Sequence, residues 1–214
     1  MNYIVGDIHG MYDLLFEELN KINFDFKNDI LYSVGDLVDR GPDSFKCLKL
    51  IEEPWFKAVM GNHDDFINIY FETLDTYQIQ SSTHLHIQNG GRWFYNLTFE
   101  EQMYCKNLID RLPYYYELEI SNKKVGIVHA DCLDDWDEFK NKLNKNLYKT
   151  QELATWSRTR FYKNINSTIK NIDFVFFGHN IVENVIKSGN CFYIDTGAFV
   201  NNKLTILNLD TIVI

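Results

Sequence analysis

Five short apolar runs in this sequence end in a side chain able to bind a metal ion or carry charge, usually just past a glycine. They are Tyr3-Ile4-Val5 before Gly6-Asp7, Val34 before Gly35-Asp36, Ala58-Val59-Met60 before Gly61-Asn62-His63, Val125-Gly126-Ile127-Val128 before His129, and Phe174-Val175-Phe176-Phe177 before Gly178-His179. Read as strands of an open sheet, these runs deliver their endings to one crevice beyond the strands' carboxyl ends, where ligands of such sheets gather. The glycines permit the sharp turns and close backbone approach that a crowded site needs. The donors are carboxylate, amide and imidazole without thiolate, which suits a hard or borderline divalent cation. Asp7 and His9, two residues apart, can point the same way from an extended segment. Asp7, Asp36, Asn62 and three or four of the histidines His9, His63, His129 and His179 make at least six candidate ligands. That exceeds what one four-coordinate ion requires, and a carboxylate can bridge, so a two-metal cluster is the natural count.

Each element alone has a plainer reading. Asp7 could cap the helix that begins near Tyr12, Asp36 and Asp39 could be turn residues ahead of Gly41-Pro42, and Asn62, His63 and Asp64 could form a capped turn. His129 or His179 alone could be a hydrogen-bonded core histidine. Their joint placement at strand ends is what favours a site over a coincidence.

The elements that must hold these residues follow from apolar periodicity. Tyr3–Val5, Ile30–Val34 and Phe56–Met60 read as strands, with Tyr12–Leu19 and Ser44–Ile51 as helices between them, giving βαβαβ. From Asp64 to about Arg111 the pattern is more helical and less periodic, with the polar stretches Gln78–Thr83 and Gln88–Gly91 read as loops. This segment is expected to cap the crevice, its aromatics Phe66, Tyr70, Phe71, Trp93, Phe94 and Tyr95 serving as packing. Tyr114–Ile120 and Lys124–Val128 read as a hairpin around Ser121-Asn122-Lys123. A helical stretch Asp134–Lys149 and the strands Phe174–Phe177, Cys191–Ile194 and Leu204–Leu209 follow. The fold class is therefore mixed α/β, expected as a single domain over residues 1–214 with a cap around 64–111.

Composition narrows the function. With 214 residues, 45% hydrophobic and 24% charged, the chain has the make-up of an ordinary globular protein. Lys and Arg number 21 against 30 Asp and Glu, a net charge of −9, which disfavours non-specific nucleic-acid binding. An anionic substrate would need local cations or metal to overcome that field. Cys47, Cys105, Cys132 and Cys191 form no C-x-x-C pair. Asp7 interrupts what would be the apolar stretch of a secretory signal, and no run approaches a membrane helix, so a cytoplasmic location without membrane partners is expected.

The motifs together resemble the metallo-phosphoesterases of the serine/threonine phosphoprotein phosphatase family, especially compact bacterial and bacteriophage members related to lambda phosphatase. The resemblance rests on Gly6-Asp7-Ile8-His9-Gly10, Gly35-Asp36-Leu37-Val38-Asp39-Arg40-Gly41, Gly61-Asn62-His63-Asp64, Val128-His129, Trp156-Ser157-Arg158, Gly178-His179 and Asp195-Thr196-Gly197. It implies a calcineurin-like fold, a central β-sandwich of mixed sheets flanked by helices. It implies two divalent ions, the first on Asp7 and His9, the second on Asn62, His129 and His179, with Asp36 between them. Manganese is the ion it suggests, while these donors also admit iron, zinc, cobalt or nickel. His63 falls on the family's catalytic histidine, Asp39 on its orienting partner, and Arg40 and Arg158 on its phosphate-binding arginines. Spacing alone leaves Arg158 in competition with Arg160, which would share its side on a strand and diverge on a helix.

The implied activity is hydrolysis of phosphoserine and phosphothreonine monoesters in phosphoproteins or phosphopeptides, with phosphotyrosine a further substrate, by direct attack of a metal-bridging hydroxide. His63 would protonate the leaving alkoxide. A monomer suffices for this. A symmetrical dinucleoside-tetraphosphate hydrolase is the alternative enzyme; those relatives share the early motifs but typically replace the residue at Asp39 and are longer. A non-catalytic, metal-stabilised binding module is the remaining alternative. The chain departs from the family in having Asn180 where threonine is common and Asp64 where many relatives have glutamate. His84 and His86 match no family ligand and read as surface or local hydrogen-bonding residues.

Overall fold

The computed structural model describes residues 1–72 and 76–212. In chain order, β1 (Asn2–Val5), α1 (Tyr12–Lys21), β2 (Ile30–Ser33), α2 (Ser44–Lys49) and β3 (Phe56–Ala58) form the expected βαβαβ, with β1–β2 and β2–β3 parallel. A helical segment follows: α3 (Asn62–Glu72), α4 (Thr76–His86), a π-helical turn Ile87–Gly91, α5 (Arg92–Tyr95) and α6 (Phe99–Ile109). Then come β4 (Tyr115–Ile120), β5 (Lys123–Val128), α7 (Trp136–Asn144), α8 (Tyr148–Trp156), α9 (Thr159–Tyr162), β6 (Phe174–Phe177), β7 (Ile186–Ser188), β8 (Cys191–Tyr193), α10 (Ala198–Asn201), β9 (Ile206–Asn208) and α11 (Leu209–Ile212).

The strands make two mixed sheets, ordered β3-β2-β1-β9 and β4-β5-β6-β8-β7. Period-2 alternation explains how they stack. Ile4 of β1, Val125 and Ile127 of β5 and Phe176 of β6 point into one cluster between the sheets. Their neighbours Tyr3 and Val5 turn outward onto α1, α2 and α6 through Leu15, Leu19, Leu48 and Leu108. Val175 and Phe177 turn outward onto α7 through Trp136 and Phe139. The result is helix, sheet, sheet, helix, with Ile4 and Phe176 at 0% exposure, each such side chain contributing roughly 1.5–3 kcal/mol by burial. No described helix is long and apolar enough to cross a membrane.

Several local expectations are corrected. Residues 78–83 lie within α4 and 88–91 within the π-helical turn; polar composition suggested loops, but α4 contains no glycine or proline and its end is anchored by buried His86. The helix expected over 134–149 is two, because Asn146 adopts φ 52° between α7 and α8. Asp135 caps α7 by accepting from the amides of Asp137 and Glu138, both at 3.1 Å. The short edge strand β7 carried no readable alternation. The hairpin turn is as expected, with Ser121 at φ 51° and Asn122 at φ 60°.

Candidate active site

The carboxyl ends of β1, β2, β3, β5 and β6 lie side by side, and the segments leaving them bring the predicted residues together. Those segments are tightly bent. His9, Asp36, Asp39, Arg40 and His179 all have left-handed φ, between 47° and 71°, a conformation costly for such residues and concentrated at functional sites. His9 therefore leaves a turn instead of the extended segment the Asp7–His9 spacing suggested. Two glycines are required by proximity: a Cβ at Gly61 would lie 2.2 Å from Asp36 Oδ1, and one at Gly178 would lie 2.0 Å from Asp7 Oδ1.

Asp36 is shared by two clusters whose donor atoms lie within 4.8 Å of one another: His9, Asp36 and His63, and Asp36, His129 and His179. Backbone carbonyls, which only accept, set the histidine tautomers. Val38 O receives His9 Nδ1–H at 2.9 Å, Val34 O receives His129 Nδ1–H at 2.8 Å, and Trp156 O receives His179 Nε2–H at 3.2 Å. Each ring's other nitrogen is then an unprotonated acceptor. His9 Nε2 lies 3.5 Å from Asp36 Oδ2, and His129 Nε2 lies 3.5 Å from Asp36 Oδ1 and 3.0 Å from Asn62 Oδ1. Acceptors facing acceptors at these distances, inside a buried site, are what a shared cation satisfies, so the donor set fits divalent metal ions.

The electrostatics agree. Burial lowers His9 to about 3 and His179 to about 2, and lowers His129 as well, which keeps the imidazoles neutral and ligating. Asp36 lies below the usual carboxylate range; burial opposes this, but attraction to the rings of His129, His63, His9 and His179 in their protonated forms outweighs it. Asp7 is raised well above that range by burial and by facing Asp195 and Asp36. Its carboxylate accepts the His179 amide at 3.0 Å. Asp195 is raised to about 6, first by burial. Asp64 retains the acid expected at its position, accepting the Leu37 and Gly61 amides at 2.9 and 3.0 Å and so holding the β2 and β3 exits together.

His63 stands between a carboxylate and a guanidinium. Arg40 donates to His63 Nε2 at 2.8 Å and to His9 Nε2 at 3.0 Å. The hydrogen of His63 is therefore on Nδ1, which donates to Asp39 Oδ2 at 2.8 Å. The Arg40 guanidinium lies 4.4 Å over the Phe199 ring. Arg158 approaches from the other side, donating to His179 O at 2.7 Å and Asn180 Oδ1 at 2.9 Å. Arg160 diverges, 5% exposed and paired with Asp131 at 2.9 Å and Asp134 at 2.6 Å.

Sequence reasoning gave His86 and Asp195 no part in the site. His84 is exposed as expected, but His86 is wholly buried and reaches Asp39. Nothing local announces this, since the two are 47 residues apart.

Carboxylates and neutral imidazoles at strand ends, flanked by arginines, define a site for metal-assisted attack on an anionic ester. Known proteins place the chain accordingly. The model of the calcineurin-like phosphoesterases matches residues 3–183, and the chain belongs to that family. It is 36% identical over 210 residues to serine/threonine-protein phosphatase 1 of Salmonella typhimurium, covering 97% of this chain and 91% of that protein. To the symmetrical bis(5'-nucleosyl)-tetraphosphatase of Proteus mirabilis it is 47% identical, but over 64 residues, 29% of this chain and 23% of that protein. Among solved structures, a candidate diadenosine tetraphosphatase superposes with a TM-score of 0.65 at 20% identity, covering 96% of this chain and 87% of that one; at that identity the likeness concerns the fold.

Proposed function

We propose that the protein is a metal-dependent serine/threonine phosphoprotein phosphatase, acting on phosphopeptides as a monomer in the cytoplasm, with phosphotyrosine as a further substrate. The observation that carries this reading is the line Asp39–His63–Arg40 beside the shared carboxylate of Asp36. Similarity over 210 residues to a protein phosphatase, against 64 to 140 residues to tetraphosphatases, supports it over the alternative enzyme. Four buried, unpaired thiols suit a reducing compartment. Residues 1–214 would form one catalytic unit with 64–111 as its cap.

Asp7 and His9 would hold one divalent ion and Asn62, His129 and His179 a second, with Asp36 common to both and manganese the preferred metal. When bound, these ions supply positive charge to the phosphoryl oxygens and lower the proton affinity of an attacking water. Arg40 and Arg158 hold the phosphate, since a guanidinium fork matches its oxygens bidentately. His63 can act as an acid only with a proton on Nε2, the atom that Arg40 now occupies as donor. A phosphate that draws the Arg40 fork onto its own oxygens clears that nitrogen. Asp39, accepting the Nδ1–H at 2.8 Å, keeps the ring aimed at the leaving oxygen.

The test compares initial rates with manganese, and after chelation, on a phosphoserine peptide, a phosphotyrosine peptide and diadenosine tetraphosphate. The reading expects the phosphoserine peptide to be cleaved and chelation to abolish cleavage. Preference for diadenosine tetraphosphate, or no metal-dependent hydrolysis of any of the three, overturns it.

A further inference from the structure

The chemistry proposed above uses one oxygen of Asp39; the other is occupied by the helical segment. Asp39 is wholly buried. Its Oδ2 faces His63 Nδ1, while Oδ1 lies 3.1 Å from His86 Nε2 and accepts Trp93 Nε1–H at 2.8 Å. An ionised carboxylate only accepts, so His86 carries its hydrogen on Nε2. Its Nδ1 is then a lone pair facing the Tyr95 hydroxyl at 3.0 Å, and that hydroxyl can donate to it. This arrangement satisfies a neutral His86 completely at 0% exposure.

The ring is also held sterically. Phe66 stacks on it at a centroid distance of 4.8 Å and an interplanar angle of 14°. Against it lies Gly91, where a Cβ would come within 1.9 Å of the ring. The preceding Gly90, at φ 101°, lies so close to Arg40 that a Cβ there would meet the Arg40 amide nitrogen at 2.4 Å. The π-helical turn thus packs against both the His86 ring and the backbone of Arg40, the neighbour of Asp39.

We infer that His86, with Trp93, is a positioning residue for the proposed general acid: its Nε2–H anchors Asp39 Oδ1, leaving Oδ2 alone to aim His63. Without these donors the carboxylate can rotate about its Cβ–Cγ bond, and the His63 ring loses the fixed acceptor that orients it. The defect falls on proton delivery to the leaving group and not on phosphate binding, which belongs to the arginines. This inference rests on the reading of His63 as the acid.

The test uses the full chain with manganese and the variants His86→Leu, His86→Gln and Trp93→Phe, assayed on a phosphoserine peptide and on p-nitrophenyl phosphate, whose leaving group departs without a proton. His86→Leu is expected to lower kcat on the peptide by about tenfold or more, with KM changed less than about twofold, and to lower kcat on the aryl ester less than about threefold. His86→Gln, whose side-chain amide can donate to Asp39, is expected to recover most of the loss. Equal losses on both substrates, a change confined to KM, or no recovery by glutamine overturns the inference. Thermal unfolding checks folding; should His86→Leu not fold, Trp93→Phe carries the same comparison. Independently, histidine-ring 15N NMR of the metal-free wild type should report His86 as the Nε2–H tautomer, and the Nδ1–H tautomer overturns the inference. If the wild type cleaves neither ester, the phosphatase reading has failed, and the tautomer alone then decides whether His86 donates to Asp39.

Discussion

Arg158 and Arg160, two residues apart, should separate function from stability when each is changed to alanine. Arg160 is 5% exposed and donates through Nε to Asp131, itself 4% exposed, at 2.9 Å. Removing it leaves a buried carboxylate without its cation, a loss that costs 3–5 kcal/mol where nothing else compensates. Asp131 keeps three other donors, the Cys132 amide, the residue-160 amide and Ser157 Oγ, and the Asp134 arm contributes little because Asp134 is 76% exposed. We therefore expect a cost of about 3 kcal/mol, which for a chain of this size is a fall in Tm of roughly 6–12 °C. Arg158 is half-buried and bonds neutral acceptors that water can reach or replace, so its loss should cost about 1 kcal/mol or less. It should, however, remove charge-assisted bonds to phosphate worth about 1.5–3 kcal/mol, a roughly ten- to 150-fold weakening. Scanning fluorimetry and competitive inhibition by inorganic phosphate measure the two effects. Should Arg160→Ala weaken phosphate more than Arg158→Ala, or Arg158→Ala be the more destabilising, the assignment of the two arginines is wrong.

Two further predictions concern proton positions. His63→Ala should lower turnover on an alkyl phosphate by about 100-fold or more and on an activated aryl phosphate far less; steady-state rates on the pair check this, and equal losses argue against a general acid. Asp195 has a folded pKa raised from 3.8 to about 6. In the metal-free protein its stabilising contribution is therefore complete below about pH 4 and lost as pH rises through about 6. Asp195→Asn cannot ionise and can still accept the Gly197 amide, which Asp195 does at 2.9 Å. With chelator present, its Tm relative to wild type should rise between pH 4 and pH 7, by a free energy on the order of 2–3 kcal/mol. A difference that stays flat across that range contradicts the burial argument.

What could be read without coordinates was what short-range pattern determines. Alternating apolar residues ending in glycine and a polar donor mark parallel strands whose carboxyl ends meet, so Asp7, His9, Asp36, Asn62, His129 and His179 were legible as a group, and the core face of β1 and β6 followed from period 2. Tertiary structure decided the rest, because it depends on groups distant in sequence. The tautomers of His9, His129 and His179 are set by carbonyls 29, 95 and 23 residues away. Arg158 turns toward His179 while Arg160 is drawn back to Asp131 because α9 begins between them and splits their directions. The polar stretch within α4 suggested a loop, yet its helix ends in His86, whose hydrogen bond to Asp39 exists only once the π-helical turn packs against Arg40. Local periodicity carries no information about such a contact; it arises from how one folded layer closes on another.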